Sequence, residues 1–399
     1  MYLCTRFYYT KDELLNMRYF FHLVILLSTL ILTACIKDEP KNMECDILEA
    51  WIEGDDLEQY FMQINAMRIS DIPSSASLLT FTVRQRSALP DMPIHFNITP
   101  GATIYPENGS KQDFSNGPVT YKVTSEDGQW HRYYTIDFHE ATQPSNKYDF
   151  DTYELDSKYS KYYVWYSKNE DGTKEYIWAT GNEGFMIAKS GVPATDYPTI
   201  PDENGIDGSC IRLVTRSTGS WGKTTNKPIA AGNFFLGRFN IKYALTKTLW
   251  ATEMGIPYTK EPVKVTGFYK YKPGDTFIDK YEHVLPDRVD EPSIYSVLYV
   301  NHDEEGNEIM LHGDDVLTSP YIVRKAQVAS LPPTDEWQPF EMTFEGTTPI
   351  DAEQLANRGY NLALVFSSSK TGDFFEGAEG STLLIDKLEL TFKETDQTQ

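Results

Sequence analysis

The chain has 399 residues, and its 58 acidic against 36 basic side chains give a formal net charge of −22. Such an acidic surface repels phosphate backbones and anionic lipid headgroups, which argues against nucleic-acid binding and against peripheral membrane binding and favours an uncharged ligand. The length exceeds what one ordinary hydrophobic core serves, so it predicts two domains.

The beginning of the chain has the three parts of a secretory signal. Arg18 precedes an apolar run over residues 20–31, and Leu-Thr-Ala-Cys follows at 32–35. The run is shorter than the roughly 20 apolar residues that a membrane-spanning helix needs. Because the last four residues resemble a bacterial lipobox, we expect the thiol of Cys35 to carry a lipid anchor; a buried core helix is the alternative. Met17 is the expected true start.

The leader and signal peptide are thus expected to end at residue 34, and residues 35–44 to form a lipidated tether. The sequence Ile-Lys-Asp-Glu at 36–39 resembles the Lys-acid-acid tag that sends lipoproteins to the outer face of the outer membrane in some Gram-negative gut bacteria. An ordinary solvated linker has the same composition. The tag predicts an outer-membrane, surface-exposed location.

Residues 45–147 are predicted to form an immunoglobulin-like β-sandwich, since short candidate strands alternate with turn residues. The clearest turn is Asp127-Gly128, because an Asp-Gly pair between two alternating runs is a strong hairpin signal. The expected strands cover residues 47–52, 61–69, 78–83, 95–98, 102–105, 119–123 and 132–138.

Part of this domain carries a resemblance. Residues 106–138, above all Tyr-Lys-Val-Thr-Ser-Glu-Asp-Gly at 121–128, resemble the N-terminal immunoglobulin-like modules of surface glycan-utilisation lipoproteins. The resemblance implies that the domain is a spacer. The polar stretch 141–147, which contains Pro144, marks its boundary with the next domain.

Residues 148–393 are predicted to form a larger jelly-roll β-sandwich, followed by a tail, 394–399. Many antiparallel strands in a stretch of this length favour a sandwich over a barrel, and the whole chain is expected to be all-β. Only residues 351–357 have a helical pattern. The expected strands cover residues 161–167, 174–180, 211–216, 263–272, 295–300, 308–311, 340–344, 361–366 and 382–392.

Five segments of this second domain resemble the PCMD family, the putative carbohydrate metabolism domain. They agree in order along the chain and cover residues 232–239, 266–274, 313–319, 337–340 and 366–386. The resemblance implies a jelly-roll fold like that of carbohydrate-binding modules. It brings no motif that defines a reaction.

A neutral sugar is bound by aromatic faces and by side chains that hydrogen-bond its hydroxyls. Trp221 is the strongest candidate platform, because it lies in a polar Ser-Thr-Gly-Ser-Trp-Gly segment. For Trp165 and Trp178, which fall in expected strands, core packing is the alternative. The predicted ligand-binding residues are Trp221, Trp178, Trp165, Trp250, Tyr269 and Tyr271.

The sequence distinguishes no catalytic group. Glycoside hydrolysis needs two carboxylates at a set separation, and no pair stands out among 58 acids. A structural calcium ion is possible at Asp373 and Asp386, although the glycines around Asp373 also suit a tight loop. Cys45 and Cys210 fall in different predicted domains, so we expect buried thiols and no disulfide.

These patterns predict a lipid-anchored surface protein that binds a neutral polysaccharide or oligosaccharide without catalysis, beside other surface glycan-uptake proteins. Two alternatives remain open: a glycan-active hydrolase, and an adhesion or assembly protein whose partner is another protein. Fold alone does not choose among them.

Overall fold

The computed structural model describes residues 40–54, 57–84, 89–140, 145–168 and 173–393. The expected leader, lipobox, Cys35 and acid tag, and the tail 394–399, lie outside the described residues. Among the described residues, no helix has the length and apolar character that crossing a bilayer requires. The described part is nearly all β, as predicted.

The first domain is a sandwich of two four-stranded sheets. One sheet has the order β2-β1-β4-β6, and the other has the order β3-β8-β7-β5, with β3 and β8 parallel. The strands are β1 (Ile47–Ile52), β2 (Arg68–Ile69), β3 (Leu78–Val83), β4 (Met92–Ile98), β5 (Thr103–Tyr105), β6 (Lys111–Gln112), β7 (Val119–Thr124) and β8 (His131–Glu140).

The Asp-Gly hairpin forms between β7 and β8, as predicted. The Oδ1 atom of Asp127 accepts hydrogen bonds from the Ser125 hydroxyl at 2.5 Å and the Gln129 amide at 2.9 Å. Gly128 has φ 73°, a left-handed conformation that glycine adopts without a Cβ penalty. The turn fixes the register that places Tyr121 opposite Tyr134, and both rings are buried in the first core.

The strand expected over residues 61–69 is wrong. A 3₁₀ helix, Ile64–Met67, occupies its middle, and the only strand in it is β2 at its end. Tertiary contacts overrode the local pattern: the buried Asn65 side chain donates to the Glu154 carboxylate at 2.8 Å and accepts from the Ser157 amide at 2.9 Å. Those partners belong to the second domain.

The second domain is a larger sandwich. Its six-stranded sheet has the order β15-β16-β29-β22-β26 with β9 on β29, and its seven-stranded sheet has the order β14-β19-β27-β24-β25 with β20 on β19 and β21 on β27. The strands are β9 (Lys147–Tyr148), β10 (Tyr153–Leu155), β11 (Tyr163–Trp165), β12 (Ser167–Lys168), β13 (Lys174–Glu175), β14 (Trp178–Ala179), β15 (Thr199–Asp202), β16 (Cys210–Val214), β17 (Arg216–Ser217), β18 (Ile229–Ala230), β19 (Asn233–Phe239), β20 (Thr252–Met254), β21 (Ile256–Tyr258), β22 (Pro262–Lys272), β23 (Phe277–Ile278), β24 (Ser293–Val300), β25 (Ile322–Gln327), β26 (Thr334–Thr343), β27 (Tyr360–Ser367), β28 (Gly377–Ala378) and β29 (Thr382–Phe392).

Strand β29 shows how these sheets keep an apolar inner face. Leu383 and Ile385 point into the core with the expected period of two, but Leu388 and Leu390 also point inward. The phase changes because Lys387 has φ 49° and the register with β22 shifts beside it. This β-bulge inserts one residue and returns the apolar side chains to the core.

In the part of the chain that the structure describes, three short α-helices interrupt the strands. Helix α3 (Ala352–Ala356) was predicted, and the Asp351 carboxylate caps it by accepting from the Gln354 amide at 2.8 Å. Helices α1 (Asn182–Ala188) and α2 (Gly219–Thr224) were not predicted. The remaining 3₁₀ helices are Leu57–Tyr60, Ala194–Asp196, Ile241–Tyr243, Thr248–Ala251 and Gly372–Phe374.

A long loop, residues 301–321, covers the outer face of the seven-stranded sheet. Its Leu311 and Val316 are buried against Tyr299 and Phe235 of that face. The strand expected over residues 308–311 is wrong, since these residues make only isolated bridges, Glu308 with His302 and Leu311 with Met254. The loop therefore forms a wall beside the sheet.

The two sandwiches share packed side chains. Tyr162, Phe185 and Tyr197 of the second domain belong to the first core, and Met62 of the first domain belongs to the second core. Across the same junction, the Gln63 amide donates to the Trp178 carbonyl at 2.6 Å. The contact between the domains thus has a continuous apolar interior.

Candidate functional site

Four of the six predicted aromatic platforms are buried. Trp165, Trp178, Tyr269 and Tyr271 are each at most 4% exposed in the second core. The Trp178 ring stacks on Phe234 with centroids 4.5 Å apart. A sugar cannot reach these rings in this structure, so the core-packing alternative describes Trp165 and Trp178.

The other two platforms reach the surface. Trp221 is 42% exposed on α2, and Trp250 is 40% exposed in the 3₁₀ helix Thr248–Ala251. They line different cavities, and residues 240–251 contribute to the walls of both. We call the cavity at Trp250 the interdomain cleft and the cavity at Trp221 the Trp221 pocket.

The interdomain cleft has a volume of about 560 Å³ and lies where the two sandwiches meet. The first domain contributes Tyr60 and Arg84 to it. The second domain contributes side chains from β19, β20, residues 240–251 and the loop 301–321. Its principal lining residues are Arg238, Asn240, Tyr243, Trp250, Glu253, Asn301, His302, Glu308, His312 and Asn361.

Trp250 is held in place on several sides. The His312 ring stacks on it at 5.0 Å and 5°, and Tyr243 meets it edge-on at 6.0 Å. The indole N–H donates to the Asp314 carboxylate at 3.2 Å. The exposed Lys247 ammonium lies 4.2 Å from the ring centroid, a cation–π contact from a flexible side chain that can move away. The cleft thus has a fixed aromatic wall.

Two histidines present an acceptor to the cleft. The Nδ1 atom of His312 lies 3.1 Å from the Thr252 carbonyl oxygen, and Nδ1 of His302 lies 2.8 Å from the Asn301 side-chain oxygen. Because these oxygens only accept, each Nδ1 carries the hydrogen, and Nε2 of the neutral ring is an acceptor. Neither Nε2 atom has a hydrogen-bond partner among the described residues.

Other polar groups of the cleft are already paired. The Asn301 amide donates to the Asn361 side-chain oxygen at 2.8 Å and to the Arg358 carbonyl at 2.8 Å. In the part of the chain that the structure describes, the hydroxyls of Tyr60 and Tyr243 have no hydrogen-bond partner. A ligand therefore meets two phenols and two imidazole nitrogens on a rigid wall.

Glu253 is the buried carboxylate of the cleft, at 7% exposure. Arg238 donates to its Oε2 atom through Nε at 2.9 Å and through a terminal nitrogen at 2.6 Å, and Asn240 donates to Oε1 at 2.8 Å. Burial alone would raise the pKa of this carboxyl, but the charges of Arg238 and Arg84 and the Asn240 bond outweigh it and lower the pKa. Glu253 is therefore ionised.

Arg84 connects the two domains at this point. One terminal nitrogen lies 3.8 Å from Glu253, and the other donates to Glu308 at 3.2 Å. The carboxylates on either side of the cleft are thus joined by an arginine. Glycosidic cleavage needs a protonated carboxylic acid, and Glu253 is held in the opposite state.

The two predicted calcium ligands have different surroundings. Asp386 is fully buried, and its carboxylate accepts from the amides of Ile206 at 2.6 Å and Lys387 at 2.7 Å. Asp373 lines the Trp221 pocket. Among the described residues, no group of three or more His, Cys, Asp or Glu side chains is arranged to hold a metal ion.

Both described cysteines are buried free thiols, as predicted. Burial raises the pKa of Cys210 to about 12, which keeps it protonated at neutral pH. Burial also raises the pKa of Cys45, with a smaller contribution from Asp46. Neither thiol is an activated nucleophile.

Sequence reasoning missed most of the cleft, including Tyr60, Arg84, Tyr243 and Glu253. Arg84 and Glu308 meet although 224 residues separate them in the chain. No local spacing could reveal such a pair. The resemblance described the first domain as a spacer, so its residues were not considered as lining for a cavity.

Comparisons with known proteins agree with this architecture. Residues 149–391 match the PCMD family model, "Putative carbohydrate metabolism domain", and residues 61–137 match the N-terminal domain model of SGBP. No curated protein sequence matches the chain.

Two solved structures are similar over long stretches. One is a putative glycoside hydrolase from Bacteroides thetaiotaomicron VPI-5482, at 35% identity and TM-score 0.63, covering 90% of this chain and 100% of that one. The other is a putative glycoside hydrolase from Bacteroides vulgatus ATCC 8482, at 37% identity and TM-score 0.57, covering 62% of this chain and 98% of that one.

Proposed function

The chain belongs to the PCMD family, and on that basis we propose that it is a surface glycan-binding protein whose ligand, a neutral oligosaccharide or polysaccharide, occupies the interdomain cleft. One observation carries the proposal. The cleft combines a fixed aromatic wall with unpaired hydroxyl and imidazole groups, while its buried carboxylate is neutralised by arginine.

This chemistry matches a neutral sugar. The apolar C–H face of a pyranose packs on an aromatic ring, and its hydroxyls both donate and accept hydrogen bonds. The Nε2 atoms of His302 and His312 accept, and the phenols of Tyr60 and Tyr243 do either. A cleft of about 560 Å³ lies within the usual range for small-molecule sites.

The charges of the cleft favour binding without catalysis. A glycosidase needs one carboxylic acid whose pKa is raised, so that it can protonate the leaving oxygen. Glu253 has a lowered pKa and two arginine neighbours, and Glu308 is bonded to Arg84. These groups fix the walls of the cleft instead of moving protons.

The lipobox-like residues 32–35 and the acid tag at 36–39 support lipidation of Cys35 and a place at the outer surface of the outer membrane. The match of residues 61–137 to SGBP, a class of surface glycan-binding proteins, supports the same location. Mass spectrometry of the native protein tests the anchor: an acylated N-terminal Cys35 is expected, and an unacylated thiol on an intact leader would contradict it.

A glycan array followed by calorimetry tests the binding site. Trp250→Ala removes the aromatic wall, so we expect at least about a tenfold loss of affinity, or ~1.4 kcal/mol, for whichever neutral glycan binds. The matched control is Trp130→Ala, because Trp130 is 58% exposed in the first domain, away from the cleft. No binding to any neutral glycan, or equal affinity of the two variants, would refute the proposal.

Hydrolysis is the second candidate function, and the names of the two similar structures favour it. Reducing ends released from a bound polysaccharide would establish it. Under the binding proposal, neither the wild-type chain nor Glu253→Gln releases reducing ends. A rate that depends on Glu253 would replace binding by catalysis.

A further inference from the structure

The Trp221 pocket is a second cavity, with a volume of about 120 Å³. Its walls are mainly apolar and include Phe185, Phe239 and Leu249, and Trp221 lies half-exposed beside them. Nothing in the proposed function uses this pocket.

The segments around the Trp221 pocket are closely packed against one another. Small residues, among them Gly184, Ala231 and Gly372, line the pocket. A Cβ on Gly184 would lie 2.8 Å from the Phe239 ring, and one on Gly372 would lie 2.3 Å from the Ala231 Cβ. The backbone therefore approaches its neighbours tightly around the cavity, which remains open between them.

Phe375 at the edge of the pocket has φ 61° and ψ 29°, a left-handed conformation that is rare for a bulky residue. Strain of this kind is concentrated at functional sites. The Lys227 ammonium lies 5.5 Å from the Phe375 ring centroid. The strained residue thus faces one of the two charged groups of the pocket.

Two polar side chains reach the pocket with capacity to spare. Lys227 donates to the Ala244 carbonyl at 3.3 Å and to the Thr248 hydroxyl, which leaves one of its three protons unused. The Asp373 carboxylate has no hydrogen-bond donor and no ion-pair partner among the described residues. Among mainly apolar walls, the pocket therefore offers one carboxylate acceptor, at Asp373, and a donor at Lys227, beside the Nδ2 group of Asn233, whose side-chain oxygen accepts from the Gly181 amide at 2.6 Å.

Size limits what can enter. An apolar cavity of about 150 Å³ is known to hold benzene. A pocket of 120 Å³ takes something smaller, and a pyranose with a hydroxyl on each carbon would leave several of them unpaired against apolar walls. The pocket fits a short group that has an apolar end, one donor and one acceptor.

We propose that the Trp221 pocket binds the acetamido group of an N-acetylhexosamine residue. The methyl packs on Phe239 and Leu249, the N–H donates to the Asp373 carboxylate, and the carbonyl accepts from Lys227. The pyranose ring that bears the group lies on the exposed face of Trp221. The inference rests on the proposed function in one respect, that the ligand is a glycan.

Saturation-transfer NMR and calorimetry on the chain from residue 36, with methyl β-N-acetylglucosaminide and methyl β-glucoside as probes, test this. We expect the acetylated sugar to bind at least about tenfold more tightly. Trp221→Ala should remove that preference. Ala188→Leu, which fills the pocket without removing a polar contact, should remove it as well. The control Trp130→Ala, at an exposed residue that lines neither cavity, should leave it in place.

The outcomes are distinct. Equal affinity for the two sugars overturns the acetamido site. So does a preference that survives both Trp221→Ala and Ala188→Leu but is lost with Trp250→Ala, and in that case the interdomain cleft keeps its glycan. If no glycan of any kind binds the chain, the proposed function fails, and the acetamido site fails with it.

Discussion

The interdomain cleft and the Trp221 pocket share residues 240–251 as a wall, and each contains a carboxylate that is removed from water, fully at Glu253 and partly at Asp373. Glu253 in the cleft is surrounded by Arg238, Arg84 and Asn240, and its pKa is lowered. Asp373 in the pocket has no such partner, and burial raises its pKa to about 6. The same chemical group is thus a structural anion in one cavity and an unsatisfied acceptor in the other.

The difference shows how the two cavities divide structure and binding. A paired buried charge fixes its surroundings, and removal of its partner is costly. An unpaired one carries a desolvation cost that a ligand can relieve. We therefore expect substitutions of the paired charges in the cleft to lower the free energy of unfolding, and substitution of Asp373 to raise it.

The largest effect is expected for Arg238→Ala. It removes two hydrogen bonds to Glu253 and leaves a buried carboxylate with weaker compensation, so we expect the free energy of unfolding to fall by about 3–5 kcal/mol. Urea denaturation measures it. Lys264→Ala is the control, because it breaks an ion pair with Glu341 on the exposed surface and should cost no more than about 1 kcal/mol. Equal losses would show that Glu253 needs no partner.

A smaller and opposite effect is expected for Asp373→Asn. The pKa of Asp373 is about 6 in the folded chain, above its ordinary value of 3.8, so the folded state disfavours the ionised form. Above pH 6 the substitution should therefore raise the free energy of unfolding, by on the order of 1 kcal/mol for this partly exposed group.

The stability difference between Asp373→Asn and the wild-type chain should depend on pH. As the pH falls from 6 to 3.8, the folded wild-type carboxyl takes up its proton first, so the advantage of the variant should shrink and then vanish. Thermal unfolding at pH 7.5 and pH 3.5 measures this. Asp275→Asn, an exposed acid, makes the same change in net charge and should show no such trend. A lower stability of Asp373→Asn at pH 7.5 would mean that the pocket compensates its carboxylate.

The smallest effect is expected for Arg84→Ala. Glu253 keeps Arg238 and Asn240 as partners, and Glu308 is largely exposed, so we expect a loss of about 1 kcal/mol or less in the free energy of unfolding. The informative measurement compares two quantities in this variant: the affinity for the glycan that binds the cleft, and the preference for the acetylated over the unacetylated sugar. Binding in the cleft should weaken, whereas the acetamido preference of the Trp221 pocket should not change. A change in both would mean that the two cavities are coupled.

The sequence was informative where local chemistry decides the structure. Strand β29 has the bounds expected of it, and the Asp-Gly hairpin and the Asp351-capped helix were both foreseen. Each depends on contacts within a few residues, or on an apolar alternation that survives one bulge. The same reasoning separated Trp221, in a polar segment, from Trp165 and Trp178 in strands.

Prediction from the sequence failed where contacts between residues far apart in the chain determine the structure. Residues 61–69 have a strand-like pattern, but Asn65 bonds to the second domain and a 3₁₀ helix forms. Tyr269 and Tyr271 share one face of β22, and only the packing of the two sheets shows that this face is the inner one. The cleft exists because the first domain delivers Arg84 to Glu253, which no periodicity encodes.

The shared interior of the two sandwiches has a consequence for engineering and for evolution by recombination. Because Met62 is embedded in one core while Phe185 and Tyr197 complete the other, a crossover placed in the connecting stretch would cut through both. In a chimera that takes only the first domain from a related protein, the side chains at the junction would no longer fit the second domain. The transplantable unit is the pair of modules together, so their specificities should be inherited together.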